Sequence, residues 1–315
     1  ETQLGKLNVE TRLGRRATTL NPDNYRLVLD NGDEIDYDNL LIATGSSPVR
    51  APVPGADGGD VHSFWTLGQA REVTAGLKPG SQVAMIGAGF ISFTILNALI
   101  KRGVELTIIE IAPRILPRMV DDEGAAIVQG WLEERGIKIM AGVEVTSIED
   151  VSGGGKTVKL KSGADVDADL VIMATGIKTN LEWLEGSGIE VNQGVLVNDH
   201  LRSSESNVYA AGDVAEGPDL LSDGKVVHAI EPTAMQHGRV VGANMAGVDT
   251  AFEGSLLMNI VDVLDLEIAS FGRWDDEELE VVRVVKADRP AYRKLLFEEG
   301  RLVGAILLGR TRDIW

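Results

Sequence analysis

Three residues of the stretch Gly87-Ala88-Gly89-Phe90-Ile91-Ser92 have the spacing of a dinucleotide cradle, and a carboxylate, Glu110, follows 23 residues after the first (110 minus 87). Each part has a physical job. Gly87 permits a tight turn, Gly89 lets backbone approach a pyrophosphate, and a following helix N-terminus offers unpaired N–H groups and a positive dipole end. Glu110 can accept hydrogen bonds from a ribose 2′-hydroxyl and would repel a 2′-phosphate, which favours NAD over NADP. Arg114 softens that preference, because it is close enough in sequence to meet a phosphate. Ser92 replaces the third glycine, whose role is close helix-to-strand packing, and adds only a hydroxymethyl group. The plainer alternative is a glycine-rich strand-to-helix junction. The flanking pattern weighs against it: Val83 to Ile86 is an apolar run suited to a buried parallel strand, Ile91, Ile95, Ala98 and Leu99 fall on one helical face, and "VELTIIE" makes the next strand and ends in Glu110.

Such a cradle needs a sheet and a core behind it. The chain has 315 residues, 44% of them hydrophobic, enough for two or three domains with substantial cores. A formal net charge of -18 argues against nucleic acid and anionic membrane as partners, leaving small molecules or other proteins. No apolar run reaches membrane-spanning length, and "ETQLGKLNVE" lacks the features of a signal peptide, so a cytoplasmic location is expected. There is no cysteine, which excludes disulfides, thiolate metal sites and a cysteine nucleophile within the chain. Any redox chemistry must use a bound cofactor.

An internal repeat organises the chain. "YRLVLDNGDEIDYDNLLIATG" (25 to 45) aligns without gaps on "KTVKLKSGADVDADLVIMATG" (156 to 176) at a constant offset of 131 (176 minus 45). Each copy reads as an alternating strand, a tight turn at Asn31-Gly32 or Ser162-Gly163, a second strand, and a buried strand ending in Ala-Thr-Gly. Upstream, "NVETRLGRRATTL" from Asn8 resembles "GIKIMAGVEVTSI" from Gly136, once a Ser-Gly-Gly-Gly insertion at 152 to 155 is allowed for. The βαβ pattern from Val83 precedes Ile137 by 54 residues (137 minus 83). An equivalent unit ahead of Val9 would begin about 45 residues before Glu1, so the sequence is expected to be part of a longer protein with another mononucleotide-binding unit.

Nearly the whole chain resembles the FAD-dependent pyridine nucleotide-disulfide oxidoreductases, in the branch of NADH:rubredoxin reductases, NADH oxidases, coenzyme A disulfide reductases and nitrite reductase reductase domains. The resemblance is carried by "LLIATGSSPVRAPVPGAD" (40 to 57), the Gly87 fingerprint with Glu110, "VIMATGIKTN" (171 to 180), "NVYAAGDVAE" (207 to 216) and "AMQHGRVVGANMAG" (234 to 247). It implies an α/β fold with two Rossmann-like nucleotide-binding domains of three-layer ββα type and a small α+β interface domain. Residues 1 to 53 and 178 to 250 would form an incomplete FAD domain, 54 to 177 the NAD(P) domain, and 251 to 315 an interface domain, cut short at "LLGRTRDIW". By position, Asp213 and Gly212 match the acid turn holding the FAD ribityl chain; Ala43, Thr44 and Gly45 the strand end approaching FAD; Ala17 a backbone contact to adenine; Glu231, Thr233 and Ala234 the start of a helix facing the flavin pyrimidine. Thr175 and Gly176 match the second Ala-Thr-Gly, near the nicotinamide nucleotide. Asp213 has a second reading as a helix N-cap before Val214. Thr94 stands where the family usually has a glutamate near flavin and nicotinamide, and no catalytic residue is assigned.

The resemblance therefore implies an FAD-dependent NAD(P)H:acceptor oxidoreductase, NAD favoured, acting as a homodimer, with a redox protein as one candidate acceptor. The competing class is a nucleotide-binding or electron-transfer subunit without turnover. Four scattered histidines, His62, His200, His228 and His237, lack metal-ligand spacing, and His228 and His237 read as cleft-lining or structural. Asp121, Asp122 and Glu123 read as a helix start, "WDDEELE" from Trp274 as a solvated turn or a dock for a basic partner, and the five tryptophans as core or interface.

Overall fold

The apolar runs on either side of the Gly87 turn are the middle strands of a five-stranded, all-parallel sheet, ordered Val61–Ser63, Leu170–Met173, Gln82–Ile86, Glu105–Glu110 and Lys138–Ala141. The structure, a computed structural model, describes residues 7–286 and 290–309. Residues 1–6 and 310–315, at the two ends of the expected domains, lie outside it. The chain divides into two interleaved units: residues up to Ser46 with Thr179–Ser255, and Ser47–Lys178 with the residues from Leu256 on.

In the second unit, three helices flank the parallel sheet. Helix α1 (Leu67–Gly76) starts on a capping box between Thr66 and Gln69. Helix α2 (Phe90–Ile100) follows the glycine turn, and α3 (Asp122–Glu133) starts at Asp121, whose carboxylate accepts from the Gly124 amide at 3.0 Å. The expected helix start at Asp121 to Glu123 is thus a true N-cap with two further acids in the first turn.

From Met258 the same unit continues as a five-stranded antiparallel sheet, ordered Met258–Val263, Leu266–Gly272, Arg301–Gly309, Ala291–Glu298 and Glu280–Lys286. Among its described residues this segment contains no helix of its own. Its helical layer is α2 and α3: Val261, Leu266, Ile268, Tyr292, Leu296 and Ile306 share one buried core with Phe93, Leu96, Val128 and Leu132. This packing corrects one expected face. Ala98 is exposed, on the same line as Thr94, whereas Phe93 and Leu96 are fully buried, because α2 is covered by two sheets and keeps only a narrow strip for water. Polar contacts fix the arrangement. Asn97 donates to the Asp262 carbonyl at 3.0 Å and accepts from the Leu264 amide at 2.9 Å, while the Trp131 indole donates to the Val263 and Leu264 carbonyls at 3.1 and 3.2 Å. They grip a two-residue hairpin turn in which Leu264 and Asp265 are both left-handed.

In the first unit, Leu40–Ile42 runs parallel to Val208–Ala210, beside the antiparallel meander Ala17–Asn21, Arg26–Leu29, Glu34–Asp36. Its core gathers Leu20, Ile42, Val195, Val208, Ala210 and Val241 of α4 (Glu231–Met245). The repeat holds at the level of register. Arg26 pairs with Asp36 and Thr157 with Asp167; Val28 pairs with Glu34 and Lys159 with Asp165; each residue is displaced by 131 (157 minus 26, 165 minus 34). The irregularity at Ala17/Thr19 opposite Leu29 recurs at Val145/Ser147 opposite Leu160. Gly32 and Gly163 both take positive φ, +84° and +86°, in the matching turns.

A buried polar cluster joins α3 to the antiparallel sheet. The Tyr292 hydroxyl donates to Asp121 at 2.7 Å and the Lys294 ammonium lies 3.2 Å from the same oxygen, with Lys294 only 4% exposed. Burial alone would raise the Asp121 carboxyl, but the hydrogen bonds from Tyr292, Gly124 and Lys294 together hold it below the ordinary carboxylate range. Replacing one partner of a buried pair leaves an uncompensated charge. Because Asp121 keeps some contact with water, Lys294→Met is expected to lower unfolding free energy by about 2–3 kcal/mol, below the full penalty of a wholly buried break. The double variant Asp121→Asn/Lys294→Met should recover part of that loss. Urea titration of the three proteins measures both, and a single-variant loss under about 0.5 kcal/mol would show that the pair is solvated.

Candidate functional site

At the end of Gln82–Ile86 the chain must reverse into α2 beneath the neighbouring Leu170–Met173 strand. Gly87 does so at φ +100°, and a Cβ placed there would lie 2.3 Å from the Ala174 carbonyl oxygen. Glycine is therefore obligatory on two counts, conformation and space. Gly89 is different. A Cβ there would meet nothing within 4 Å, and Gly89 is the N-cap of α2 with no side chain capping the helix. The first-turn amides of α2 thus have no protein cap and open space in front of them, which is the arrangement an anionic pyrophosphate fits.

Ser92 does more than tolerate the missing glycine. It is fully buried, and its hydroxyl donates to the Gly87 carbonyl at 2.6 Å, tying the helix back onto the turn. Glu110, 8% exposed, accepts from the Ala88 amide at 2.6 Å through one oxygen and from the Ala112 amide at 2.8 Å through the other. The carboxylate expected to meet a ribose is thus also a brace of the turn, and each oxygen retains a lone pair for a further donor. Phe90 and Ile91 are half-buried at the start of α2. Arg114 is committed within its own loop: it donates to the Val120 carbonyl at 3.2 Å and to the Asp122 carboxylate at 2.9 Å. The Thr94 hydroxyl donates to the Ile91 carbonyl at 2.7 Å and faces solvent. Thr175 donates to the Val49 carbonyl at 2.5 Å, and Gly176, at φ +121°, accepts from the Val49 amide at 2.9 Å.

The other unit carries the remaining candidates. Gly45 takes φ +65° at the end of the exposed Ala43-Thr44 pair, and its carbonyl accepts from the Asn180 amide at 3.0 Å. The next residue, Ser46, donates to the Asp213 carboxylate at 2.8 Å. Asp213 lies inside a short 3-10 turn, Gly212–Val214, whose N-cap is Ala211, so the N-cap reading of Asp213 is overturned: the turn starts two residues too early for it. A Cβ on Gly212 would sit 3.5 Å from that of Ala234, which places the acid turn against the first turn of α4. That helix begins at Glu231 without a side-chain cap; Glu231 is exposed and Thr233 buried. Ala17 stands apart, in strand pairing with Leu29.

Sequence reasoning did not find Ser46, Asn180 or the role of His237. The Gly212 amide donates to His237 Nδ1 at 3.2 Å, and the ring stacks edge-on against Phe252 with centroids 4.6 Å apart. Burial pushes His237 down to about 4, so the ring is neutral at physiological pH. Its structural reading is the correct one. Among the described residues no group of acids and histidines could hold a metal ion.

Against known proteins, residues 2–238 match the family described as pyridine nucleotide-disulphide oxidoreductase, and residues 258–314 match the rubredoxin NAD+ reductase C-terminal domain. The chain belongs to the pyridine nucleotide-disulphide oxidoreductases. It is 30% identical to the assimilatory nitrate reductase electron transfer subunit of Bacillus subtilis, over 95% of this chain and 38% of that protein. It is also 30% identical to the ferredoxin–NAD(+) reductase component of the anthranilate 1,2-dioxygenase system of Burkholderia cepacia, over 97% of this chain and 75% of that one. A NAD-dependent persulfide reductase from A. fulgidus superposes with a TM-score of 0.88 at 28% identity, over 98% of this chain and 61% of that chain. The chain spans less than two fifths of the length of two of the relatives it matches, the electron transfer subunit and a Bacillus subtilis nitrite reductase, at 38% and 37%.

Two measurements follow from these contacts. Gly87→Ala should abolish NAD+ binding and destabilise the fold by more than 2 kcal/mol, through a clash with backbone that cannot move aside. Gly89→Ala should melt within a few degrees of the parent yet bind NAD+ at least about tenfold more weakly, since its methyl group enters the pyrophosphate space. Calorimetric titration paired with thermal melts separates the two, and equal behaviour would remove the cradle. For His237, the unfolded chain takes up a proton below about 6.5 while the folded chain resists until about 4, so stability is complete above 6.5 and falls as pH drops through that window. His237→Asn, which keeps an acceptor for Gly212, should show a shallower decline in melting temperature between pH 6.5 and 4.

Proposed function

We propose that this chain is part of an FAD-dependent NAD(P)H:acceptor oxidoreductase that takes NADH at the Gly87 turn. The observation that carries this reading is the uncapped start of α2 with open space over Gly89, backed by the carboxylate of Glu110. When bound, the two cofactors supply hydride transfer from nicotinamide to flavin N5 and release of electrons to an acceptor.

The chain's own residues bind and orient. Amides at the start of α2 receive the pyrophosphate, Ser92 holds the turn closed from behind, and Glu110 accepts from a ribose hydroxyl while repelling a 2′-phosphate. On the FAD side, Asp213 is oriented by Ser46 to accept from ribityl hydroxyls, with Gly45 and Thr44 at the adjoining strand end. The uncapped first turn of α4, next to Gly212, directs amide donors and a positive dipole end toward negative charge on a reduced flavin. Thr94 offers no carboxylate, and its hydroxyl is held by its own helix, so hydride transfer here relies on positioning rather than on an acid beside the flavin. The acceptor in this reading is a small redox protein, the class named for relatives such as the rubredoxin reductases, and the protein works as a cytoplasmic homodimer.

Mixing the full-length protein with FAD and then titrating anaerobically with NADH is expected to bleach the flavin absorbance with one NADH per flavin. Flavin binding without bleaching would instead support the subunit reading, in which nucleotides bind without turnover, and failure to bind flavin would defeat the enzyme reading.

A further inference from the structure

The loop that leaves Glu110 wraps around the nucleotide turn. Glu110 receives the Ala88 amide, and the Leu116 amide donates to the Ala88 carbonyl at 2.8 Å, so residues 110 to 116 are pinned to Ala88 at both ends. Arg114 lies within that span. In a site that accepts a 2′-phosphate, a guanidinium so placed would be the anchor, because its planar fork matches phosphate oxygens. Here the fork is already engaged. Its Nε–H donates to the Val120 carbonyl at 3.2 Å and a terminal nitrogen donates to the Asp122 carboxylate at 2.9 Å, at the first turn of α3.

We propose that Asp122 is a specificity-determining residue: by holding Arg114 against the start of α3, it keeps the cation off the adenosine ribose and enforces preference for NADH over NADPH. The inference rests on the reading of the Gly87 turn as the nicotinamide nucleotide site. Glu110 supplies repulsion and Asp122 removes the compensating attraction, so discrimination against the 2′-phosphate comes from two carboxylates rather than one. Asp122 itself is largely exposed. An exposed ion pair of this kind is modest, which limits the effect of removing it to about tenfold or less, and the Val120 contact stays in place in the variant. Asp121, not Asp122, caps α3, and alanine is a good helix former, so the variant keeps the helix start.

The test titrates NAD+ and NADP+ into the parent protein, Asp122→Ala, Arg114→Ala and the double variant by calorimetry at low and moderate salt. Asp122→Ala is expected to tighten NADP+ about three- to tenfold while NAD+ changes by less than about twofold, and the gain should shrink as salt rises. In the double variant the gain should disappear. If it survives without Arg114, the effect is simple removal of a negative charge and the proposal is overturned. Equal weakening of both nucleotides in Asp122→Ala would also overturn it, by assigning the pair to loop stiffness. Absence of NAD+ binding by the parent protein would instead remove the nucleotide-site reading, and this inference with it.

Discussion

The approach of Gly87 to the Ala174 backbone fixes the strand-to-helix turn and the start of α2. Because a single β-carbon would fall 2.3 Å from the Ala174 oxygen, the βα turn and the end of the adjoining strand are in contact through backbone alone. That contact sets where α2 starts and hence where its amides point. Ser92 and Glu110 then brace the turn from two sides, one through the Gly87 carbonyl and the other through the Ala88 amide. The same Ala-Thr-Gly strand end recurs as Ala43-Thr44-Gly45, so the chain uses one solution twice, each time with a glycine of positive φ closing the strand.

Much of this was legible in the sequence because it is local. Tight turns at Asn31-Gly32 and Ser162-Gly163 dictate hairpin register, and the residues of the two meanders pair as the constant offset requires. The strand, turn, helix and distal acid around Gly87 were readable for the same reason. What escaped depended on partners distant in sequence. Ala98 shares a helical face with Ile95 and Leu99 yet is exposed, because periodicity records how many apolar residues a helix has, not which layers cover it. Asp213 was open to a capping role until the turn start at Ala211 excluded it. Ser46, whose partner is 167 residues away, and His237, whose partner is the Gly212 amide, carry no local signal at all.

Ion pairs are formed within each of the two units. In the unit ending at Lys178 and resuming at Leu256, charges are mostly consumed internally: Arg114 with Asp122, Arg273 with Asp276 and Glu298, Lys294 with Asp121. The acidic turn after Trp274 belongs to this pattern, since Arg273 gathers Asp276 at 2.6 Å and Glu298 at 2.8 Å and Trp274 is buried. In the first unit, His200 lies between Asp199 and Asp249, at 2.6 and 3.0 Å, and the hydrogen bond it donates to Asp199 leads in raising its pKa. That clamp ties the loop before the Leu201 turn to the segment that follows α4.

Interleaving has a kinetic side. The strands that cover Phe93 and Leu96 lie beyond Met258, so α2 leaves the ribosome long before its second apolar face has a partner. At 5–20 residues per second, synthesis of the intervening chain takes roughly 10 to 40 s. During that interval a helix with almost no polar side is exposed to the cell, and its protection falls to chaperones or to non-native collapse. Yield from a slow or stalled translation would therefore depend on how well α2 is shielded until those strands arrive.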